Sequence, residues 1–373
     1  MKKILYLINV DWFFVSHFLP VAQKALENGY EVHLTCKFTD KEEYLQSLGF
    51  YTYPLSLSRS STTLTQELRV MGEMYRVLSE VQPDIAEFLT IKPVLYGGIV
   101  SHFCSLEKKI FYITGLGYIF TRKDFRGRIV KTFVKLLYRL ALFGSKSYVI
   151  TENSFDKKLI ESLGVVPQER IHIIKGAGVD LNEYVYKEEP HKKPLEVVMA
   201  SRLLKDKGVL EFVAAAKHLQ EEGCQAHFIL YGDRDIYNPT SLSEEELVKI
   251  QEEGYVEVRG FCSDIAKAFC EANLVVLPSY REGLPKVLIE AAAAGRAVVT
   301  TDVVGCRDAI EIGKTGLVCN VKDVVDLAHT IKKLLQDDNL RHKFARQSHL
   351  LAQKEYDICK ITAQHLQLYR DEK

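Results

Sequence analysis

The segment Pro278-Ser-Tyr-Arg-Glu-Gly-Leu-Pro-Lys-Val-Leu-Ile-Glu-Ala-Ala-Ala-Ala-Gly295 does most to define the fold. It follows the apolar run Leu274–Leu277, which predicts a buried strand. Proline suits the first turn of a helix and glycine suits its end, so a helix is expected between Pro285 and Gly295. The segment therefore predicts one strand–loop–helix unit of a parallel α/β sheet.

The loop and the start of this helix carry groups that bind anions and hydroxyls. We expect the backbone N–H groups of Gly283, Leu284 and Lys286 at the positive end of the helix, where phosphate binds. Glu282 lies in the loop and Glu290 eight residues later, within the helix, so the two carboxylates reach separate parts of an elongated ligand. Taken alone, the glutamates also fit a helix cap and a solvated face, but the surrounding strand, loop and proline favour a ligand site.

A second strand–loop–helix unit contains a cluster of cations. The run Glu196–Ala200 predicts a strand, and Arg202, Lys205 and Lys207 follow it directly before a helix. Arginine offers a planar fork suited to a diphosphate, and lysine adds a point charge. A solvated loop explains this cluster equally well on its own. Two anion-binding loops at one sheet edge favour a phosphate site.

Apolar runs and amphipathic segments alternate along the whole chain in two series. The first extends from Ile4–Ile8 to Ser147–Thr151, and the second begins at Leu195. Such alternation predicts parallel sheets of βαβ units, whose ligands bind at the carboxyl ends of the strands. The predicted fold class is α/β, with two Rossmann-like doubly wound domains facing across a cleft. We expect them at residues 1–182 and 183–355, with a helix in 356–373 crossing back to the first.

Composition excludes several classes of protein. The 373 residues are 47% hydrophobic and 26% charged, as in ordinary globular chains, and 49 basic residues balance 49 acidic ones, which argues against a nucleic-acid binder. The eight cysteines form no Cys-x-x-Cys pair, so neither a disulfide framework nor a zinc site is expected. No apolar stretch reaches 18 residues, and the N-terminal run is too short for a signal peptide. We expect a cytoplasmic protein.

The balanced charge hides an uneven distribution. Residues 1–180 contain 23 Lys and Arg against 18 Asp and Glu, a net charge of +5, and the remainder carries −5. Residues 117–148 alone carry eight cations against one aspartate, interleaved with aromatic and aliphatic residues. This mixture is typical of a helix in an anionic lipid interface, although a helix packed on the sheet with a solvated basic face has the same pattern. The membrane-contact candidates are Arg122, Lys123, Arg126, Arg128, Lys131 and Lys135.

The motifs of both loops resemble those of the retaining family 4 glycosyltransferases, which have the GT-B fold. The matching residues are Ser201-Arg202-Leu203, Lys207-Gly208, Glu282-Gly-Leu-Pro285 and Glu290, with Gly176–Asp180 between the domains. In the first domain, three segments resemble a branch of bacterial enzymes that extend polyprenyl-diphosphate-linked sugars for O-antigen, capsule or glycoprotein glycans. These segments are Ser16–Pro20, Thr90–Gly97 and Thr114–Thr121.

The resemblance implies a role for each candidate residue. The catalytic candidates are Arg202, Lys207 and Glu282: the two cations hold the donor diphosphate and stabilise the departing charge, and the glutamate binds hydroxyls of the donor sugar. Glu290 binds both ribose hydroxyls. The other donor-binding candidates are Gly283, Leu284, Pro285, Lys286, Arg259, Gly260 and Phe261. The acceptor-side candidates are His17, Lys92, Gly115 and Gly117.

The first domain departs from the family pattern in two places. The usual Gly-Gly pair after the first strand is replaced by Val10–Ser16, which changes the acceptor pocket. Where many relatives have a histidine, this chain has Thr90-Ile91-Lys92, so we expect Lys92 or His17 to take its part. In the second domain, Asp233-Arg-Asp235 suggests a metal site, but its place after Tyr231-Gly232 favours a loop near the diphosphate.

The resemblance implies a retaining hexosyltransferase. It moves a hexose or N-acetylhexosamine from a UDP-sugar to a polyprenyl-diphosphate-linked sugar, at an anionic membrane surface on the inner face of the plasma membrane. Neither a metal nor another cofactor is expected, and nucleic acid is not a partner. Two alternatives remain: a GT-B-fold sugar-nucleotide epimerase and a non-catalytic sugar-nucleotide-binding subunit.

Overall fold

The structure, a computed structural model, describes residues 1–57, 63–116, 125–236 and 238–370, with the backbone alone for residues 125–129. The chain divides into two compact units, Met1–Ala177 with Cys359–Lys373, and Gly178–Ile358. The boundary expected from the sequence, between residues 182 and 183, falls slightly later. Val179 belongs to the second unit, where its N–H donates to the carbonyl of Tyr356 at 2.8 Å.

The first unit is built around a seven-stranded parallel sheet. Its strand order is β3-β2-β1-β4-β5-β6-β7. The strands are β1 (Lys3–Val10), β2 (Glu31–Lys37), β3 (Tyr51–Pro54), β4 (Ile85–Leu89), β5 (Lys108–Ile113), β6 (Ser147–Thr151) and β7 (Ile171–Ile173). The order reverses between β1 and β4, which is the switch point where doubly wound sheets bind ligands.

Helices connect these strands. They are α1 (Asp11–His17), α2 (Leu19–Glu27), α3 (Glu42–Ser47), α4 (Leu64–Val81), α5 (Phe125–Leu142) and α6 (Ser154–Glu161). After β4, a π-helical turn at Pro93–Gly97 continues through one α-helical turn into a 3-10 turn at Ser101–Phe103. The apolar pattern predicts one helix over residues 17–28. The structure has two there, because Pro20 lacks an N–H and stands in the first turn of a new helix.

The second unit contains a six-stranded parallel sheet of order β10-β9-β8-β11-β12-β13. Its strands are β8 (Leu195–Ala200), β9 (Ala226–Tyr231), β10 (Glu257–Gly260), β11 (Leu274–Leu277), β12 (Ala297–Thr301) and β13 (Gly316–Cys319). Its helices are α7 (Val209–Glu221), α8 (Glu244–Glu253), α9 (Ile265–Glu271), α10 (Lys286–Ala293), α11 (Val304–Asp308), α12 (Val324–Gln336) and α13 (Asp338–Leu351). The predicted pair of doubly wound α/β sheets is confirmed.

The last helix, α14 (Ile358–Arg370), packs on the first unit. The hydroxyl of Tyr369 lies 3.0 Å from that of Tyr6 and donates to the buried carboxylate of Glu87. Lys108 donates to the carbonyl of Leu368 at 2.5 Å. A buried carboxylate needs such donors, because losing its hydration is otherwise costly. The end of the chain therefore completes the core of its beginning.

Across the described residues, no helix is both long and apolar enough to span a lipid bilayer.

Candidate active site

Two loops leave neighbouring strands of the second sheet and lie against each other. Residues 201–208 follow β8 and residues 278–285 follow β11, and these strands pair in parallel at the point where the strand order reverses. Gly208 has a φ of 75°, and a Cβ there would stand 2.1 Å from the carbonyl oxygen of Pro278. Glycine alone fits this approach. The topology thus brings the two sequence motifs together.

The two loops share an ion pair. Lys207 Nζ donates to Glu282 Oε1 at 2.5 Å, and the two side chains are 23% and 11% exposed. Because little solvent reaches the pair, its attraction is screened less than that of a surface pair. Two of the three predicted catalytic residues, 75 positions apart, are therefore in direct contact.

The third, Arg202, pairs with a different carboxylate. Its Nη1 donates to Asp235 Oδ2 at 2.6 Å, and the Arg202 side chain is 43% exposed. Asp235 lies in the loop after β9, the neighbour of β8. Gly232 permits this contact between loops, since a Cβ there would stand 1.8 Å from the carbonyl oxygen of Ser201. The Asp-x-Asp segment therefore lies beside the candidate phosphate-binding arginine.

Glu290 is a buried carboxylate with two donors. In α10, Lys286 Nζ lies 3.3 Å from Glu290 Oε1, and the hydroxyl of Tyr184 also donates to Glu290. Burial raises the pKa of Glu290 above its ordinary value, although Lys286 and Tyr184 both favour the charged form. Tyr184 was missed by the sequence analysis, because no local pattern links it to α10.

The loop that carries Glu282 rests on α11. A Cβ at Gly305 would stand 2.2 Å from the carbonyl oxygen of Gly283 and 2.5 Å from that of Glu282. Beside it, burial raises the pKa of the Cys306 thiol to about 12, so this thiol stays protonated. The backbone of the loop is thus supported from behind by a helix that has no side chain at the contact.

The same loop leads into α10. Leu284 is buried, and Pro285 is the N-cap residue before Lys286. The first N–H groups of an α-helix have no partner within the helix and carry its positive end. The helix start therefore offers donors and positive potential next to Glu282.

Arg259, Gly260 and Phe261 lie at the carboxyl end of β10. Arg259 donates through Nε and Nη2 to the carboxylate of Glu257, at 2.8 and 3.0 Å, and through Nη1 to the hydroxyl of Tyr231 at 2.8 Å. The Gly260 carbonyl accepts from Gly232 at 2.7 Å. The Phe261 ring is 75% exposed. At this edge, the accessible surface is an aromatic ring beside a fixed guanidinium.

In the first unit, three acceptor-side candidates follow the neighbouring strands β1, β4 and β5. His17 ends α1, and its ring stacks on Phe13 with 4.0 Å between centroids. Lys92 pairs with Glu67 of α4 at 2.7 Å, and Gly115 has a φ of 132°. These positions share the carboxyl edge of the sheet. The fourth candidate, Gly117, lies outside the described residues.

Asp11 is a further residue that the sequence analysis missed. Its buried carboxylate accepts from the N–H groups of Trp12, Thr39 and Lys41 at 2.6 to 3.0 Å, and from the Thr39 hydroxyl at 2.7 Å. Burial alone would raise the pKa of Asp11, but these donors hold the pKa below its ordinary value. The sequence pattern that could have indicated Asp11 is a single carboxylate directly after an apolar strand.

Helix α5 is apolar on two faces. One face is buried and includes Val134, Tyr138 and Leu142, whereas the other exposes large apolar side chains that are 45–64% accessible. These exposed residues are Val130, Phe133, Leu136 and Leu140 on the helix and Phe143 directly after it. The predicted contacts Lys131 and Lys135 are half-buried on this helix. Arg122 and Lys123 fall outside the described residues, as do the side chains of Arg126 and Arg128.

Models of two protein families match the chain. One, described as glycosyl transferase 4-like, matches residues 3–153, and the other, described as glycosyl transferases group 1, matches residues 194–337. Each model therefore covers most of one sheet.

Curated relatives match along most of their length. The chain is 28% identical over 369 residues to the N,N'-diacetylbacillosaminyl-diphospho-undecaprenol alpha-1,3-N-acetylgalactosaminyltransferase of Campylobacter jejuni, covering 95% of each. It is 22% identical over 325 residues to the UDP-Gal:alpha-D-GlcNAc-diphosphoundecaprenol alpha-1,3-galactosyltransferase of Escherichia coli, covering 83% of this chain and 81% of that one.

Solved structures share the fold. Anabaena HepE in complex with UDP superimposes with a TM-score of 0.78 at 17% identity, over 99% of both chains. The sucrose-phosphate synthase of Thermosynechococcus elongatus gives a TM-score of 0.80 at 17% identity, over 99% of this chain and 98% of that one. The fold and the family predicted from the sequence are both confirmed: the chain belongs to the family 4 glycosyltransferases of GT-B fold.

Proposed function

We propose that this glycosyltransferase moves a hexose or N-acetylhexosamine from a UDP-sugar to a polyprenyl-diphosphate-linked sugar, with retention at the anomeric carbon. The observation that carries the proposal is the Lys207–Glu282 pair at the switch point of the second sheet, with Arg202 beside it. Two relatives are named for undecaprenol-diphosphate-linked acceptors, and one structural neighbour binds UDP.

In this proposal the cations bind the donor diphosphate. Lysine has three N–H donors and arginine five, so Lys207 and Arg202 keep their carboxylate partners while they also bind phosphate oxygens. As the bond to the sugar breaks, negative charge grows on the departing diphosphate, and both cations stabilise it. The positive start of α10 adds to this stabilisation, and the proposal requires no metal.

The remaining residues of the site bind the rest of the donor. Glu282 accepts hydrogen bonds from hydroxyls of the sugar, and Glu290 accepts from both ribose hydroxyls. The exposed Phe261 ring lies at the same sheet edge, where it can stack on the base. A donor phosphate oxygen takes the proton of the attacking hydroxyl, so retention needs no nucleophile from the protein.

The test of this proposal removes one cation at a time. Arg202→Ala and Lys207→Ala should each lower turnover by about 10²–10³-fold, because each deletes a transition-state contact. Lys249→Ala is the control, since Lys249 lies on α8, outside both loops, and its side chain is 75% exposed. Mass spectrometry with a panel of UDP- and GDP-sugars measures the product. Unchanged turnover in both variants contradicts the site, and an acceptor that gains no mass contradicts transfer.

We further propose that the exposed face of α5 rests on the anionic inner surface of the plasma membrane, where the lipid-linked acceptor is found. Apolar side chains on this face enter the lipid interface while neighbouring cations contact headgroups. Phe133→Ser with Leu140→Ser should reduce flotation with anionic liposomes, and salt should reduce flotation of the unmodified protein. Leu350→Ser, at a residue that is 53% exposed on α13, is the control. If neither the double substitution nor added salt reduces flotation, the proposal is contradicted.

A further inference from the structure

Tyr280 lies two residues before Glu282 and is held from three directions. Its hydroxyl donates to Glu211 Oε1 in α7 at 2.5 Å, and its backbone N–H donates to the carbonyl of Asp206 at 2.9 Å. Lys322 Nζ lies 4.5 Å from the centroid of its ring, which is a cation–π distance. Tyr280 therefore contacts two segments that are distant from it in sequence, one containing Asp206 and Glu211 and the other containing Lys322.

These contacts join the segment of Lys207 to the segment of Glu282. Asp206 directly precedes Lys207, and Glu211 follows it by four residues at the start of α7. Arg281 also pairs with Asp206, at 2.9 Å, but its side chain is 44% exposed, so solvent weakens that link. The Tyr280 hydroxyl therefore provides the better shielded side-chain link beside the ion pair.

The carboxylate of Glu211 depends on this hydroxyl. Its second oxygen, Oε2, is buried and has no hydrogen-bond partner among the described residues. Burial, with the hydrogen bond to Glu211, raises the pKa of Tyr280 above its ordinary value, so the phenol remains a donor at neutral pH. The bond is thus present throughout the range in which the enzyme would be assayed.

Two further contacts hold the loops. Gly208, next to Lys207, allows the backbone of its loop to touch Pro278. Lys322 has a φ of 62°, which is unusual for a residue with a side chain, and its amino group stands over the ring of Tyr280, two residues before Glu282. Each residue of the ion pair is therefore within two positions of a fixed contact.

We infer that the Tyr280–Glu211 pair is a positioning pair, which fixes Lys207 and Glu282 while charge develops on the departing diphosphate. The inference rests on the proposed function of those two residues. Misalignment affects a contact that acts in the transition state more than it affects ground-state binding. Loss of the pair therefore lowers kcat and leaves donor binding nearly unchanged.

The test begins with Tyr280→Phe, which keeps the ring and its Lys322 contact but removes the hydroxyl. We expect kcat to fall about tenfold, with the donor KM and the number of UDP sites per chain unchanged within about twofold. Glu211→Leu should give the same loss, whereas Glu211→Gln keeps an oxygen acceptor and should restore at least about half of kcat. The double variant Tyr280→Phe/Glu211→Leu should be no slower than either single variant, because both remove the same bond.

A matched control exists elsewhere in the second unit. The hydroxyl of Tyr255 donates to Glu221 at 3.4 Å, away from both loops, so Tyr255→Phe should leave kcat unchanged. A loss below about threefold in Tyr280→Phe, an equal loss in Tyr255→Phe, or a parallel loss of UDP sites overturns the inference. If the unmodified protein turns over no nucleotide-diphosphate sugar, the proposed function fails and the inference falls with it. An active protein with an equally active Tyr280→Phe variant overturns the inference alone.

Discussion

At the scale of single residues, Asp11 shows how one carboxylate can fix a strand end. It joins the end of β1 to the loop after β2 by accepting from the backbone N–H groups of Trp12, Thr39 and Lys41. We expect Asp11→Ala to lower the free energy of unfolding of the first unit by about 3 kcal/mol, because several buried N–H groups lose a charged acceptor. The fluorescence of Trp12, the only tryptophan in the chain, follows urea unfolding of this unit.

The same residue predicts a pH dependence. The pKa of Asp11 is lower in the folded protein than in the unfolded chain, where it is about 3.9. The stabilisation is therefore fully present above the unfolded pKa and is lost as the pH falls through the folded pKa. In Asp11→Ala, the free energy of unfolding should therefore depend less on pH in this acidic range. If the variant loses stability below about pH 4 as steeply as the unmodified protein does, other carboxylates cause the effect.

Glu290 predicts the opposite kind of pH dependence, in binding. Burial raises its pKa, so acidification protonates it before an ordinary glutamate, whose pKa is about 4.3. On its proposed role, UDP affinity should fall as the pH drops through this raised pKa, because a protonated carboxyl accepts fewer hydrogen bonds. Calorimetric titration of UDP across pH measures the effect. Glu290→Gln should bind more weakly without this step, and an unchanged profile in that variant would remove Glu290 from the ribose site.

At the scale of elements, the contact between α11 and the Glu282 loop has no room for a methyl group. Gly305→Ala should displace the carbonyl oxygens of Glu282 and Gly283, lowering both kcat, by about tenfold, and the melting temperature. Gly72→Ala is the matched control, since Gly72 lies in α4 with no atom within 4 Å of a new Cβ. That substitution should raise stability by about 0.5–1 kcal/mol. The measurements are kcat and the melting temperature of both variants. If Gly305→Ala is as active as Gly72→Ala, the loop tolerates the displacement.

Strands at the sheet centres could be predicted from the sequence, and most of those at the edges could not. The runs Ser147–Thr151 and Leu274–Leu277 coincide with β6 and β11, because central parallel strands are buried on both faces and read as continuous apolar runs. Among the strands that the structure describes, β3, β7 and β13 were missed, and each is the last strand at one side of its sheet. The other edge strand, β10, is predicted by the run Val256–Val258. An edge strand packs on fewer neighbours, so its sequence lacks the apolar run.

Some residues of the candidate site could likewise be predicted from the sequence, and others could not. Loop motifs indicated Lys207 and Glu282 individually, because the carboxyl ends of parallel strands share one edge. Partners that belong to other segments of the chain, such as Tyr184 for Glu290 and Glu211 for Tyr280, carry no sequence signal. Their positions depend on how two separate segments pack, which local periodicity does not encode.

At the scale of the whole molecule, the proposed donor site belongs to the second unit alone. UDP at 100 times its dissociation constant should stabilise that unit by about 2.7 kcal/mol, since only the folded site binds it. Hydrogen exchange should therefore slow within Gly178–Ile358, most of all in β8, β11 and the loops that follow them. Protection confined to Met1–Ala177 would contradict the assignment.

The docking of α14 affects the order in which the chain can fold during synthesis. Residues 1–177 emerge first, but Glu87 stays without the hydroxyl of Tyr369 until nearly 200 further residues have been translated. At about 5–20 residues per second, that interval lasts roughly 10–40 s. The second unit, a continuous stretch of sequence, has all of its own residues before then. The part of the enzyme that is made first is completed last, and nascent chains that end before Tyr369 should be open to proteolysis in their N-terminal half.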